Sequence, residues 1–111
     1  AAYDEAAGAL MERGEEIMTR SKMVTPVEFG TLRGSGKVDT DRGSRTTTVT
    51  LGFGGPAIPY ALYVHEGDPA WNWSAAGTGP KYLERPFRDG TQNIERWLAK
   101  RIERRVEHVA R

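Results

Sequence analysis

The chain carries two histidines, His65 and His108, and the first stands next to a carboxylate in His65-Glu66. A carboxylate beside an imidazole can orient it as a general base. Acid–base catalysis also needs a nucleophile and a group that stabilises developing charge, and no such set accompanies this pair. On a strand, moreover, adjacent side chains point to opposite faces, so an extended segment would part His65 from Glu66. His108, flanked by the charges of the terminal segment, has the setting of a solvated helix residue.

Other chemistry meets similar obstacles. The 13 glycines follow neither the phosphate-loop spacing that ends in Gly-Lys-Ser/Thr nor the dinucleotide fingerprint, so turns and close packing account for them. Ser35 has no hydrolase elbow around it, and Asp39 and Asp41 lack the glycine and closing glutamate of a calcium loop. Cysteine is absent, which excludes disulfides, thiolate nucleophiles and cysteine-ligated metals. The expectation is a protein that is not an enzyme, with no catalytic residue, no cofactor and no metal.

A basic helix face is the remaining candidate for chemistry. Arg96, Lys100, Arg101, Arg104 and Arg105 could meet several phosphates, and a small nucleic-acid-binding protein is one reading of them. The interleaved Glu95, Glu103 and Glu107 instead suit a solvated face with i,i+4 pairing. A formal net charge of +1 adds nothing to a polyanion reading. The first sixteen residues, by contrast, hold Asp4, Glu5, Glu12, Glu15 and Glu16 against Arg13. Ends of opposite sign suit contact between copies or between the two terminal helices.

These residues must be positioned by one small domain spanning 1–111, since the length is near the commonest for a single core. No apolar run is long enough for a membrane span, and the acidic start lacks the order of a signal peptide, so a soluble protein made in the cytoplasm is expected. The chain opens Ala1-Ala2-Tyr3 without a methionine, which leaves room for residues ahead of it. From Tyr3 to about Lys22, small and apolar residues at Ala7, Leu10, Met11, Gly14, Ile17, Met18 and Ser21 recur at helical spacing. Gly14 on that face predicts a close backbone approach to another element, and Pro26 ends the helix.

Residues 25–36 mix turn formers with Val27, Phe29 and Leu32 and predict an ordered connection that is not a helix. A hairpin follows, with β-prone flanks 36–40 and 45–53 around the tip Asp41-Arg42-Gly43-Ser44. Val49, Leu51 and Phe53 share one parity and Thr46, Thr48 and Thr50 the other, as a half-buried sheet requires. Tyr60 to Glu66 fits a strand or one to two helical turns. Residues 67–80 form a loop by composition that holds Trp71 and Trp73, which either fold back on the domain or wait for a partner. The enrichment of aromatic residues at interfaces favours the partner. From Pro86, the stripe Phe87, Ile94, Trp97, Leu98, Ile102, Val106 and Val109 predicts one continuous helix to the end, whose tip projects toward a neighbour. The fold class expected is α+β: a small antiparallel sheet with a β-hairpin, packed against an N-terminal amphipathic helix and a long C-terminal helix.

The order of these segments resembles the tail-completion or neck proteins of long-tailed bacteriophages, a family of head-tail joining, minor capsid components. Three stretches carry the resemblance across nearly the whole chain: Thr25-Pro26-Val27 with Gly30-Thr31-Leu32-Arg33-Gly34-Ser35; Tyr60-Ala61-Leu62-Tyr63-Val64-His65-Glu66-Gly67; and Gly77-Thr78-Gly79-Pro80 leading to Arg85-Pro86-Phe87. His65 departs from a glutamate the family tends to place there, and the Trp71/Trp73 loop is particular to this chain. The resemblance implies a non-enzymatic structural subunit in the virion neck. It would form a homo-oligomeric, hexameric ring between the head connector and the tail tube or tail-terminator protein. Genomic DNA would pass nearby in the lumen, and no membrane would be involved. A tail terminator or head-closure subunit is the nearest alternative. On this reading Asp41, Arg42, Gly43, Ser44, Trp71, Asn72, Trp73, Arg104 and Arg105 are contact residues. Pro26, Gly30, Leu32, Tyr60, Ala61, Gly67, Pro86 and Phe87 are then fold determinants.

Overall fold

The helical spacing at the start of the chain gives α1 (Ala2–Val24) in a computed structural model that describes residues 2–26, 30–54, 61–67 and 78–110. Asp4 and Glu5 in its first turn and Lys22 in its last complement the helix dipole. Its end is closed by several donors. The Thr25 N–H and Oγ1 both reach the Ser21 carbonyl, at 3.0 and 2.8 Å, and the Gly79 N–H reaches the Val24 carbonyl at 3.0 Å. The Arg33 guanidinium donates to the Thr25 carbonyl through Nη2 at 2.6 Å and Nε at 3.2 Å. Carbonyls that a helix end leaves orphaned are thus satisfied by segments distant in sequence.

Ala7, Ile17, Met18 and Ser21 are buried as the spacing predicts, whereas Met11 is 37% exposed and Ala9, off the expected stripe, is buried. The stripe is too narrow a description because α1 is packed on several sides, by the hairpin and by both C-terminal helices. The hairpin packs closely on Gly14: a Cβ there would lie 2.8 Å from Val49 Cγ1. The close approach expected at this glycine is therefore present.

The connection after Pro26 contains a short helix, α2 (Gly30–Gly34), where none was expected. Tertiary burial overrides its turn-rich composition, since Leu32 is completely buried. Ser35 ends it by donating Oγ to the Leu32 carbonyl at 2.6 Å, and the same oxygen accepts the Gly54 N–H at 2.8 Å. Gly54 has φ 94°, a left-handed conformation that suits glycine, so this bond depends on the residue type.

β1 (Lys37–Arg42) and β2 (Thr47–Gly52) form an antiparallel pair, with Lys37 opposite Gly52 and Arg42 opposite Thr47. Val49 and Leu51 are half-buried and Thr48 and Thr50 exposed, as the alternation predicts. The tip differs from expectation. Asp41 and Arg42 belong to β1, and the turn is 43–46, closed by the Gly43 N–H to the Thr46 carbonyl at 2.7 Å.

Of the two conformations open to the segment after residue 60, the structure adopts helix, in α3 (Ala61–His65). The C-terminal segment is not one helix. It divides into α4 (Glu84–Thr91) and α5 (Ile94–Ala110), with Gln92 extended at φ −61°, ψ 127° and Asn93 left-handed at φ 56°. Asparagine adopts that conformation at lower cost than most residues. Both helices flanking the break pack on α1, α4 at Gly90 against Ile17 and α5 through Arg101 to Glu12 and Glu5. Pro86 falls in the first turn of α4, where its missing N–H is harmless, but third in the helix instead of first.

Leu32, Val64 and Tyr82 form a buried core cluster, with Val24, Phe53, Ala61 and Leu83 packed against it. The α+β architecture expected from the sequence is present, but its shape is drawn out. The radius of gyration is 16.7 Å and the extents are 55 × 27 × 17 Å, against about 13 Å for a compact domain of this length.

A candidate docking groove beside a capped helix

The aromatic residues after β2, α3 and the start of α4 converge on one side of the core. Tyr82, fully buried, meets Phe53 edge-on with ring centroids 5.0 Å apart and His65 edge-on at 4.9 Å. Its hydroxyl donates to the Ala61 carbonyl at 2.7 Å, and burial pushes the phenol up to about 12. Around these rings lies a cleft of about 270 Å³ lined by Phe53, Ala61, His65, Glu66, Tyr82 and Leu83. A second, of about 320 Å³, is lined by Leu51, His65, Leu83, Glu84 and Phe87. His65 and Leu83 are common to both, so the clefts adjoin as one largely apolar groove. Phe87, expected to be a fold determinant, is 46% exposed at its edge, because the face that α4 buries is the one carrying Pro86 and Gly90.

His65 and Glu66 are in contact here. The strand geometry that would have parted them does not occur, since His65 ends a helix and Glu66 follows in the turn. His65 Nδ1 lies 3.1 Å from Glu66 Oε1, and the Glu84 backbone N–H donates to His65 Nε2 at 3.3 Å. An Nε2 that accepts is unprotonated, so Nδ1 carries the proton and donates to Glu66. Lys81 completes the cluster: its Nζ pairs with Glu66 Oε2, and its N–H reaches the His65 carbonyl at 2.7 Å. The Lys81 ammonium and then the imidazole hold the Glu66 carboxyl below its ordinary range.

This arrangement decides what His65 does. The N-cap residue of α4 is Leu83, which offers no side-chain hydrogen bond. His65 supplies the missing acceptor for the first turn of that helix, from another segment. With Nε2 accepting the Glu84 N–H and Nδ1 facing Glu66, the imidazole of this pair serves as a cap for α4. The sequence signals its partner only through the absence of a capping residue at Leu83, since His65 lies nineteen residues from Glu84 in the chain.

Of the expected contact residues, Asp41 to Ser44 are described at the end of the hairpin, and none of these four lines the groove. Arg42 is bonded to Asp4 Oδ1 at 2.7 Å, which ties the hairpin to the start of α1 and lowers the Asp4 carboxyl. Gly43 and Ser44 are exposed in the turn. Trp71, Asn72, Trp73 and Tyr60 lie outside the described residues, as do the side chains of Arg104 and Arg105. Pro26 and Gly67 are buried, and Gly30 opens α2. The opposite charges of the two ends meet within the chain: Arg101 reaches Glu12 at 2.6 Å and Glu5 at 3.6 Å. Arg13 and Arg101 lie 4.1 and 5.7 Å from the centre of the Trp97 ring, an arrangement suited to cation–π attraction.

Among the described residues no group of three or more His, Asp or Glu side chains is placed to hold a metal ion, and no helix is long and apolar enough to cross a membrane. The chain matches none of the known protein families, characterised proteins or solved structures with which it was compared.

Proposed function

We propose that the chain is a structural subunit of the neck of a long-tailed bacteriophage, one that works by contact and catalyses nothing. The observation that carries this reading is where the three family-like stretches meet. Leu32 comes from the first, Ala61 and Val64 from the second, and Tyr82 and Leu83 lie within the third, all in a single core cluster. Polar links between them run the same way, from Arg33 to Thr25, Gly79 to Val24 and Tyr82 to Ala61. The resemblance therefore falls on residues that hold one unit together, and the histidine–glutamate pair within it is a cap.

What the unit offers a neighbour is the groove from Leu51 to Phe87 and an elongated body whose described core is small. In this reading copies form a hexameric ring that joins the head connector to the tail tube, and the protein resides in the virion. The nucleic-acid reading gains little, since Arg101 is engaged by Glu5 and Glu12. Deleting the coding sequence from the phage that encodes it tests the proposal. Filled heads and tails that fail to join are expected, and normal joined particles would contradict it.

A further inference from the structure

We infer that His65 is a proton-sensitive latch, whose neutral imidazole fastens α3 to the first turn of α4 and whose protonation releases that turn. The Glu84 N–H donates to Nε2 at 3.3 Å while Nδ1–H faces Glu66 Oε1 at 3.1 Å, so both ring nitrogens are committed to the singly protonated form. Adding a proton at Nε2 sets N–H against N–H. It also places a positive charge at the positive end of α4, where cations are disfavoured. No side chain at Leu83 can take over, because that position makes no capping bond.

The charged groups around the ring set the balance. Glu66 faces Nδ1 with one carboxylate oxygen, and Lys81 Nζ claims the other. The Glu84 carboxylate, the acceptor closest in sequence to the released N–H, is held 3.7 Å from Arg88. Tyr82 presents a ring edge that supplies no charge in the neutral range. Because His65 and Leu83 line both clefts, release of this turn alters the wall they share.

The test is amide exchange and ¹⁵N chemical shifts on the intact chain across about pH 5–8, the range in which histidine changes charge. Above the imidazole titration, the ring shifts should report an Nδ1–H tautomer. As the ring is protonated, exchange at Glu84, corrected for its intrinsic pH dependence, should rise roughly two- to tenfold, in keeping with loss of one ordinary hydrogen bond. In His65→Gln, whose side chain never becomes charged, the corrected Glu84 exchange should not change with pH. An Nε2–H tautomer, or a Glu84 amide in the wild type that ignores the imidazole titration, overturns the inference whether or not the variant folds.

Discussion

Replacing Gly90 with alanine should destabilise the protein, although the same change at an ordinary helical glycine does the opposite. Gly90 is buried where α4 crosses α1, and a Cβ at that position would lie 2.4 Å from Ile17 Cγ1 and 2.8 Å from Ile17 Cδ1. Carbon atoms in contact prefer about 3.5–4.0 Å, so the two helices must separate by roughly 1 Å. Cγ1 sits one bond beyond the Cβ of a buried side chain and cannot swing aside as the tip of a long chain would. Overpacking of this kind costs about 1–3 kcal/mol, against which alanine regains up to about 1 kcal/mol of helix propensity. The net expectation is a loss of about 1–2 kcal/mol, or roughly 5 °C or more in Tm for a chain of this size. Gly8 is the internal control. It lies exposed on α1, where an added methyl would meet nothing within 4 Å, so Gly8→Ala should stabilise by about 0.5–1 kcal/mol. Urea unfolding of both variants reads the two signs. In an Ile17→Ala background the offending atoms are gone, and Gly90→Ala should become neutral or stabilising, giving a coupling of about 1–3 kcal/mol. If Gly90→Ala raises stability as Gly8→Ala does, the close crossing of α4 over α1 at Ile17 is refuted.

The core and its caps give further expected outcomes. Tyr82 keeps its proton in the folded state up to about pH 12, while the unfolded chain ionises near the ordinary value of 10. The contribution of Tyr82 to stability should therefore be level below pH 10 and fall between 10 and 12, by about 2–3 kcal/mol in all, and Tyr82→Phe should remove that fall in an alkaline unfolding series. Arg33→Ala leaves the buried Thr25 carbonyl without its charged donor and should cost about 1.5–3 kcal/mol by urea unfolding. The Glu66 carboxyl, lowered first by Lys81 and then by His65, stabilises the fold above the ordinary carboxylate range and loses that contribution as pH falls through its own titration. Lys81→Met should move the Glu66 titration upward when followed by carboxyl ¹³C shifts.

Much of this fold is legible in local pattern. Pro26 fixes the end of α1, the alternation of Val49 and Leu51 with threonines gives the buried face of β2, and Gly14 marks the hairpin contact. The features that escape are those decided by distant partners. Gly90 and Asn93 are helix-weakening residues, yet the apolar stripe runs through them. The break falls between two segments that both pack on α1, at Ile17 and again at Glu12, contacts with a distant element that the stripe does not encode. The turn-rich segment before β1 becomes a helix because Leu32 finds a core, and Phe87 lines the groove because α4 buries Pro86 and Gly90 instead. At the groove, adjacency in the chain makes His65 and Glu66 look like a base and its orienting carboxylate. Their role depends instead on the uncapped start of α4, nineteen residues from His65, a separation that sequence spacing leaves silent.

If the chain works by contact, the groove edged by Phe87 is covered by other protein subunits. Mass measured over a rising concentration series, for the wild type and for Phe87→Asp, tests this most directly. A ring-sized species that the wild type forms and the variant does not, at equal Tm, is the predicted result. A wild type that stays monomeric throughout, or a variant that assembles as readily, contradicts it.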